Sequence, residues 1–274
     1  MSVAQLMIRR SGAFYYGLLI ILVWAILAFG AGYFAPYDPA ATNDILALQA
    51  PSTLHWFGAD NLGRDVLSRV MYSGRLDFTM AVLAVFPPFV IGCVIGLVAG
   101  YFGGISDYLP MRLLDVTGSF PYFILILAVV SVIGPGLSGF FIAMAVVGWV
   151  NYARLIRNQT RSLRRGDFIT AARCLGFSGP RILLLHILPN ALLPAAVLAV
   201  SDMALTLVLA VSLNYLGLGV QPPDAEWGRM IAEGQPYLSQ AWWICFFPGV
   251  AIVILALGFR LLTDGLAERL GTEV

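Results

Sequence analysis

The feature that most constrains this chain is its set of long apolar runs, several of which exceed 18 residues. Runs of this length match the ~20 residues that an α-helix needs to cross the hydrocarbon core of a bilayer. Hydrophobic residues make up 59% of the 274 residues and charged residues only 11%, and the mean hydropathy is +0.85. A soluble domain of this length does not need such a composition. The chain is therefore predicted to be an all-α polytopic membrane protein.

Six membrane-spanning helices can be placed along the chain. They are predicted at about 13–34, 79–101, 120–133, 137–153, 192–213 and 241–262. The third is short for a bilayer unless it extends back to Leu109, and it then contains Arg112 and Asp115, which can pair one helical turn apart. Pro87 and Pro88 predict a bend in the second span, because proline is tolerated in membrane helices where the freed carbonyl groups find other partners.

The distribution of arginine predicts the orientation of the spans. All 16 basic residues are arginine, and segment 154–187 holds seven of them against one acid, Asp167. Six spans with Arg9 and Arg10 inside place this segment in the cytoplasm, as the positive-inside tendency requires. Both termini are then expected in the cytoplasm, with the protein in a bacterial inner membrane. The net charge of +1 gives no support for a nucleic-acid partner.

Two segments are predicted outside the membrane on the opposite face, at 35–78 and 216–240. In the first, Val66, Leu67, Val70 and Met71 fall on one helical face, which indicates a short helix lying on the membrane surface. We therefore expect residues 1–78 to form an anchor helix with an external segment. Residues 79–270 would form the transmembrane domain, with a cytoplasmic loop at about 154–187.

The second external segment carries a polar group of residues around one tryptophan. A polar rim with an aromatic anchor suits the docking of a substrate-binding protein, and a folded turn with the tryptophan at the lipid interface is the structural alternative. The residues concerned are Asp224, Glu226, Trp227 and Arg229.

The loop "DFITAARCLGFSGPRILLLHILPN" (167–190) is longer and more patterned than a simple connection. Residues 167–175 can form a short helix that ends at Gly176 in the left-handed conformation. Gly179 and Pro180 can begin a second helix. Ala171 and Ala172 would let a partner surface approach the backbone closely. The pattern indicates a rigid docking element, with an interfacial helix that binds anionic lipid through its arginines as the alternative.

This loop resembles the EAA loop of permease subunits in ATP-binding-cassette importers, through Ala171-Ala172, Gly176 and Leu188-Pro189. Other stretches are similar to the dipeptide, oligopeptide and nickel branch of that family, over about residues 34–270. They are "HWFGADNLGRDVLSR" (55–69), "MRLLDVTGSFP" (111–121), "YARLIRNQTRSL" (152–163), "HILPN" (186–190), "LGLGVQPPDAEWGRMI" (216–231) and "PGVAIVILALGFRLLTDGLAERL" (248–270). The resemblance is to the second permease, the one with an N-terminal external segment, and it implies the type I importer permease fold.

The resemblance also implies the partners. They would be a homologous second permease, two ATPase subunits that carry the ATP and Mg²⁺, and an extracytoplasmic substrate-binding protein, so that this chain holds no cofactor and no catalytic residue. The loop would insert into a cleft on an ATPase subunit. The residues expected to couple to the ATPase are Asp167, Thr170, Ala171, Ala172, Gly176, His186 and Pro189. Thr170 stands where the family has a glutamate, and Asp167, one turn earlier, is our hypothesis for the substitute carboxylate.

Asp202 lies near the middle of the fifth span, where an ionisable group is costly and usually faces a cavity or a partner. It is expected to line the translocation path with Thr206 and Asn214, or to hydrogen-bond neighbouring helices as a structural group. No metal site is expected, because the three cysteines and two histidines show no ligand spacing.

The cargo is expected to be a di- or oligopeptide, with glutathione and nickel or a metallophore as alternatives within the same family. An ion-coupled secondary transporter is the alternative from another class, and it predicts several buried carboxylates with paired broken helices. An intramembrane enzyme would need a nucleophile or metal motif, and the sequence has neither Gly-x-Ser-x-Gly nor His-Glu-x-x-His. The absence of lysine also excludes a phosphate-binding loop of the P-loop type.

Overall fold

The computed structural model describes residues 3–221 and 225–271, with side chains from Gly12 onward, and these ranges are helical without a β-strand. The α-helices are α1 Val3–Phe29, α2 Ala31–Phe34, α3 Val66–Leu83, α4 Phe86–Phe102, α5 Ile105–Gly118, α6 Tyr122–Ile133, α7 Leu137–Arg164, α8 Asp167–Cys174, α9 Gly179–Ile182, α10 Leu188–Tyr215, α11 Trp227–Gly234 and α12 Trp243–Leu270. Short 3₁₀ helices lie at Asp44–Leu46 and Gln235–Tyr237, and a π-helical turn at Leu183–Ile187 leads into α10.

Five helical segments of the described chain are long and apolar enough to cross a membrane. They are Gly12–Phe29, Val66–Phe102, Leu137–Arg164, Gly179–Tyr215 and Trp243–Leu270. A sixth span results if α5 and α6, which meet at an angle of 94°, are taken together. This agrees with the six predicted spans and explains why the third looked short, because it is broken near Gly118.

The region around α3 differs from the prediction of a surface helix followed by a separate span. α3 begins at Val66 and continues through one turn at Ala84–Val85 into α4, directly before Pro87 and Pro88. The expected boundary at residue 78 therefore falls inside a helix. The apolar face of α3 that was expected to meet lipid is largely buried in the protein, including Val66, Val70 and Met71.

Charged residues of α3 lower its hydropathy and hid this continuity, and two of them, Arg69 and Asp77, have partners outside the helix. Arg69 pairs with Asp60, and Asp77 accepts a hydrogen bond of 3.1 Å from the backbone N–H of Trp227. Because these side chains are partnered within the protein, they do not prevent α3 from lying inside the helix bundle.

Three glycines bring α4 against α7. Gly92, Gly96 and Gly100 recur every fourth residue of α4, so they form one stripe along the helix. A Cβ atom at Gly96 would lie 2.7 Å from the carbonyl oxygen of Ala153 and 2.8 Å from Cβ of Ile156. Small residues at this spacing let membrane helices approach closely, because backbone atoms rather than side chains form the contact.

The first helix is held to the last one by a similar contact. A Cβ atom at Gly17 would lie 2.8 Å from the carbonyl oxygen of Gly258, and one at Gly265 would lie 2.5 Å from Cα of Phe14. Ile21 of α1 is also part of the main buried cluster, together with Phe259 of α12. α1 therefore packs against α12 through Phe14, Gly17 and Ile21.

Two ends of the bundle matter for function: the α8 end, which carries α8 and α9, and the α11 end, which carries α11 and segment 35–65. At the α11 end this segment is fastened to α12. The indole N–H of Trp243 donates to the carbonyl oxygen of Ala59 at 3.1 Å, and the rings of Phe57 and Phe247 stack with centroids 3.8 Å apart. His55 is buried and contacts Asp65 at 2.9 Å.

Candidate functional site

The loop between α7 and α10 forms a compact knob at the α8 end. α8 ends in a Schellman motif, in which the N–H of Gly176 donates to Arg173 at 2.9 Å and the N–H of Phe177 donates to Ala172 at 3.2 Å. Gly176 has φ +81°, the left-handed conformation that glycine adopts without steric cost. The prediction that a helix ends at this glycine is confirmed.

One face of α8 anchors the knob to the helix bundle. Ile169 and Ala172 are buried in a cluster that includes Leu97 of α4, Ile156 of α7 and Ala195 of α10. Because α8 shares this buried cluster with three long helices, a displacement of the knob must disturb at least part of the cluster.

The other face of α8 is exposed, and part of it is apolar. Phe168 is 46% exposed and Leu175 is 75% exposed, and Ala171 and Thr170 lie between them on the surface. Large exposed apolar side chains beside small ones, on a loop that is otherwise rich in arginine, are typical of a surface that another protein covers. Ala171 and Ala172 were identified from the sequence, whereas Phe168 and Leu175 were not, although their spacing of seven residues places them on one side of the helix.

The second half of the knob is fixed by aromatic contacts. The guanidinium group of Arg181 lies 4.6 Å from the ring centre of Phe177, whose other neighbour is the ring of His186 at 5.6 Å. Gly179 and Pro180 begin α9 as predicted. These contacts make His186 part of the internal packing of the knob.

The remaining coupling candidates lie on the surface or beside it. Asp167 is exposed in the first turn of α8, where a carboxylate is favoured by the helix dipole. Thr170 is exposed one turn later, and Pro189 is exposed in the first turn of α10. The structure brings Asp167 and Thr170 to the same surface, and their contact with an ATPase subunit stays a prediction.

A charged clasp joins the broken third span to α7 near the knob. Asp107, in the first turn of α5, accepts hydrogen bonds from Arg157 and Arg161 of α7. Gly103 and Gly104, which precede α5, both have positive φ. Sequence reasoning missed this clasp because its partners are about fifty residues apart. The pair that it did predict, Arg112 with Asp115, is present on the surface at 3.8 Å.

The interior of the bundle contains a polar group around Asp202 of α10. Asp202 of α10 lies near the hydroxyl groups of Tyr152 on α7 and Tyr122 of α6. The hydroxyl of Tyr152 is buried and has no partner in hydrogen-bond geometry among the described residues. Polar side chains of three helices thus lie near one another in segments that are long and apolar enough to cross a membrane, where polar groups are costly.

Thr206 and Asn214 were expected to line the path with Asp202. Thr206 is buried, and Asn214 is occupied by its own chain. The amide of Asn214 donates to the carbonyl oxygen of Ala210 at 2.9 Å and accepts from the N–H of Val220. The side chain of Asn214 therefore closes the turn after α10. Its role in the translocation path stays an untested prediction.

At the α11 end, two of the residues expected to receive a binding protein are buried. Glu226 and Trp227 are both 0% exposed, and the indole N–H of Trp227 donates to the carbonyl oxygen of Val70 at 3.0 Å. Glu226 caps α11 by accepting from the N–H of Arg229 at 2.9 Å, and burial raises its pKa. Asp224 lies outside the described residues. Arg229 is partly exposed and could contact a partner directly. Glu226 and Trp227 would act on a partner only through the shape of the loop.

Three arginines and two carboxylates form a network beside α11. Arg64 contacts Asp60 at 2.6 Å and Glu233 at 3.0 Å, while Arg69 contacts the same two acids, and Arg229 contacts Glu233 at 3.0 Å. Burial acts to raise the pKa of Glu233, but the neighbouring guanidinium groups outweigh it and hold that pKa below its usual range. Within the described ranges, no group of three or more His, Cys, Asp or Glu side chains could hold a metal ion.

Comparisons with known proteins agree with this architecture. Residues 92–274 match the family described as the binding-protein-dependent transport system inner membrane component. The chain is 38% identical over 258 residues to the dipeptide transport system permease protein DppC of Alkalihalophilus pseudofirmus, covering 94% of this chain and 85% of that protein. It is 37% identical over 268 residues to the glutathione transport system permease protein GsiD of Pectobacterium atrosepticum, covering 97% and 89%. It is 35% identical over 271 residues to the oligopeptide transport system permease protein OppC of Bacillus subtilis, covering 99% and 89%.

Proposed function

Because this chain belongs to the family of inner membrane components of binding-protein-dependent transport systems, we propose that it is the permease subunit of an ATP-driven importer of di- and oligopeptides. The three relatives described above are named for the transport of dipeptides, glutathione and oligopeptides. These compounds are all short peptides, which supports a peptide cargo. Glutathione is the first alternative cargo, and nickel or a metallophore complex is the second.

In this proposal the chain is one of several subunits. It pairs with a homologous permease to enclose the translocation path, and it works with two ATPase subunits and an extracytoplasmic substrate-binding protein. ATP and Mg²⁺ are held by the ATPase subunits, and no residue of this chain is catalytic. The lack of any lysine or P-loop motif supports this division of labour.

The knob formed by α8 and α9 is the observation that carries the proposal. Its exposed face offers Phe168 and Leu175 to a partner, while Ile169 and Ala172 join it to a buried cluster that also contains side chains of α4, α7 and α10. Closure of the ATPase subunits around ATP would move the knob, and the knob would move the helices that pack on it. The path would then alternate between inward-open and outward-open states, as a population shift between two packings of the helices.

A matched pair of substitutions tests this proposal. Leu175→Arg places a charge on the exposed face of the knob, and Ile45→Arg places the same charge on a residue that is 93% exposed at the other end of the molecule. We expect Leu175→Arg to abolish both co-purification of the ATPase subunits and uptake of labelled dialanine, and Ile45→Arg to retain both. Normal uptake and normal co-purification by Leu175→Arg would contradict the proposal.

The same substitution, tested in vesicles, distinguishes the proposed importer subunit from the ion-coupled alternative. A secondary transporter would accumulate dialanine in vesicles that contain this chain alone, driven by an ion gradient and indifferent to Leu175→Arg. The proposed subunit requires the ATPase and the binding protein for any accumulation.

A further inference from the structure

A large open cavity lies at the α11 end of the bundle, at the level where α1 ends. Its volume is about 1060 Å³, at the upper end of the range of ~300–1,000 Å³ typical of small-molecule sites. It is bounded by α1, α3, α11 and segment 35–65, so it lies toward the end of the molecule opposite the knob. Its walls include Phe29, Leu62, Tyr72, Leu76 and Thr79.

Among the described residues at this cavity, the positive and negative charges are unequal in number. Arg64, Arg69 and Arg229 share two carboxylates, those of Asp60 and Glu233, in the network described above. A fourth guanidinium, that of Arg75, also lines the cavity. Counted over the described residues alone, four cations against two anions leave a formal excess of two positive charges.

Arg75 differs from the other three arginines in having no acidic partner among the described residues. It is exposed, and its guanidinium group lies 5.8 Å from the ring centre of Phe29. Neighbouring side chains on α3 that face the cavity, Tyr72, Leu76 and Thr79, are uncharged. An arginine on a concave wall with apolar neighbours attracts anions more strongly than one on a flat surface, because the low-dielectric wall focuses its field.

We propose that this cavity is a binding site for the negatively charged end of the cargo, and that Arg75 binds its carboxylate. A guanidinium group matches a carboxylate through two parallel hydrogen bonds, and every unmodified peptide that ends in a free carboxyl group carries one. The inference rests on the proposed function, because it names how the imported peptide first contacts this subunit. The phosphate of a lipid headgroup offers the same chemistry, and the test below distinguishes it from the peptide.

The first arm of the test changes the protein and the peptide together. Uptake of dialanine and of dialanine amide is measured with complete importers that carry the wild-type chain, Arg75→Gln, Arg75→Lys or the control Arg112→Gln. Because the binding protein is the same in every case, its own preference for the free acid cancels when each variant is compared with wild type. We expect Arg75→Gln to lower uptake of the free acid about tenfold or more and to leave the amide within about twofold, since a lost charge-assisted pair affects only the charged cargo.

Arg75→Lys should recover part of the uptake of the free acid, because lysine keeps the charge but loses the paired geometry. Arg112 is also exposed but has an acidic partner in Asp115, so Arg112→Gln should match wild type for both peptides. An equal loss of both cargoes in Arg75→Gln, or no loss of either, would overturn the proposal.

The second arm measures occupancy of the cavity without relying on transport. Thr79→Cys, in a chain that also carries Cys174→Ser and Cys245→Ser, places one accessible thiol four residues from Arg75 on the same wall. A membrane-impermeant thiol reagent should label it in the assembled importer. Dialanine should slow this labelling, dialanine amide should not, and addition of Arg75→Gln should remove the protection.

The outcomes of the second arm separate the remaining explanations. If the thiol is protected whenever the vesicles contain phosphatidylglycerol, even without peptide, the site binds a lipid headgroup. That result would overturn the proposal. A thiol that cannot be labelled at all would show that a partner subunit fills the cavity, which would also overturn it. If the proposed peptide import itself is wrong, wild-type importers will not take up either peptide, whereas failure of this inference alone leaves wild-type uptake intact.

Discussion

The contact between α4 and α7 provides the sharpest test of the packing, because it depends on glycine at a position where any side chain collides with backbone. At Gly96 a Cβ atom would lie 2.7 Å from the carbonyl oxygen of Ala153 and 2.8 Å from Cβ of Ile156. Non-bonded carbon atoms prefer about 3.5–4.0 Å, so Gly96→Ala requires α4 and α7 to separate by roughly 1 Å. Separation would disturb the neighbouring contacts at Gly92 and Gly100 as well.

The control for this prediction is Gly249→Ala on α12, where no heavy atom lies within 4 Å of the added Cβ. Both substitutions replace a helical glycine with alanine, so they share the same gain in helix propensity. The difference between the two variants therefore isolates the steric cost, which is about 1–3 kcal/mol for an overpacked contact.

The measurement is the apparent melting temperature of each variant in detergent. It is read from the loss of the monodisperse peak in size-exclusion chromatography after heating. We expect Gly96→Ala to melt several degrees below Gly249→Ala, and Gly249→Ala to melt at or above the wild-type temperature. Equal melting temperatures for the two alanine variants would refute the close approach of α4 and α7.

Three further predictions follow from single residues. Gly176→Leu forces a branched side chain into φ +81° at a cost of about 1–2 kcal/mol, so uptake should fall although the protein still reaches the membrane. Gly176→Asn should be tolerated. Equal uptake by the two variants would contradict the role of Gly176 in ending α8. Because burial raises the pKa of Glu226, the folded state keeps a proton that the unfolded state releases, and stability should fall as pH rises from the ordinary carboxyl value toward the raised one. Glu226→Gln should flatten this part of the melting-temperature profile, and a profile identical to wild type would refute the assignment. Asp202→Asn should lower peptide uptake at unchanged expression, and normal uptake would remove Asp202 from the path.

Local rules explain what the sequence analysis predicted correctly. The apolar runs are long enough to identify the spans without tertiary information, and Gly176 and Gly179-Pro180 act within one or two turns of their own helices. These signals are local, because helix ends are set by the backbone conformation of a few residues.

Distant partners explain what the sequence analysis did not predict. α3 was divided at residue 78 because Arg69 and Asp77 lower its hydropathy, yet Arg69 pairs with Asp60 and Asp77 with the backbone of Trp227. Trp227 and Glu226 were predicted to lie on an exposed surface, because a polar stretch between spans does not show which of its side chains turn inward. Burial of this kind is decided by contacts between elements far apart in sequence.

The glycine stripe of α4 is a different case, because its signal was present in the sequence. Gly92, Gly96 and Gly100 repeat at the spacing that marks a helix-packing face in an apolar segment. The sequence alone could have predicted that α4 packs closely against another helix, and only the structure identifies that helix as α7.

The central claim of this account is that the knob faces the cytoplasm and is covered by an ATPase subunit, and the native Cys174 tests it directly. Cys174 is the last residue of α8 and is exposed, whereas Cys93 is buried. In membrane vesicles, a membrane-impermeant maleimide should label Cys174 only when the vesicles are inside-out, and bound ATPase subunits should block that labelling; Cys174→Ser identifies the signal. Labelling in right-side-out vesicles, or labelling in inside-out vesicles that is unchanged by the ATPase subunits, would contradict the account.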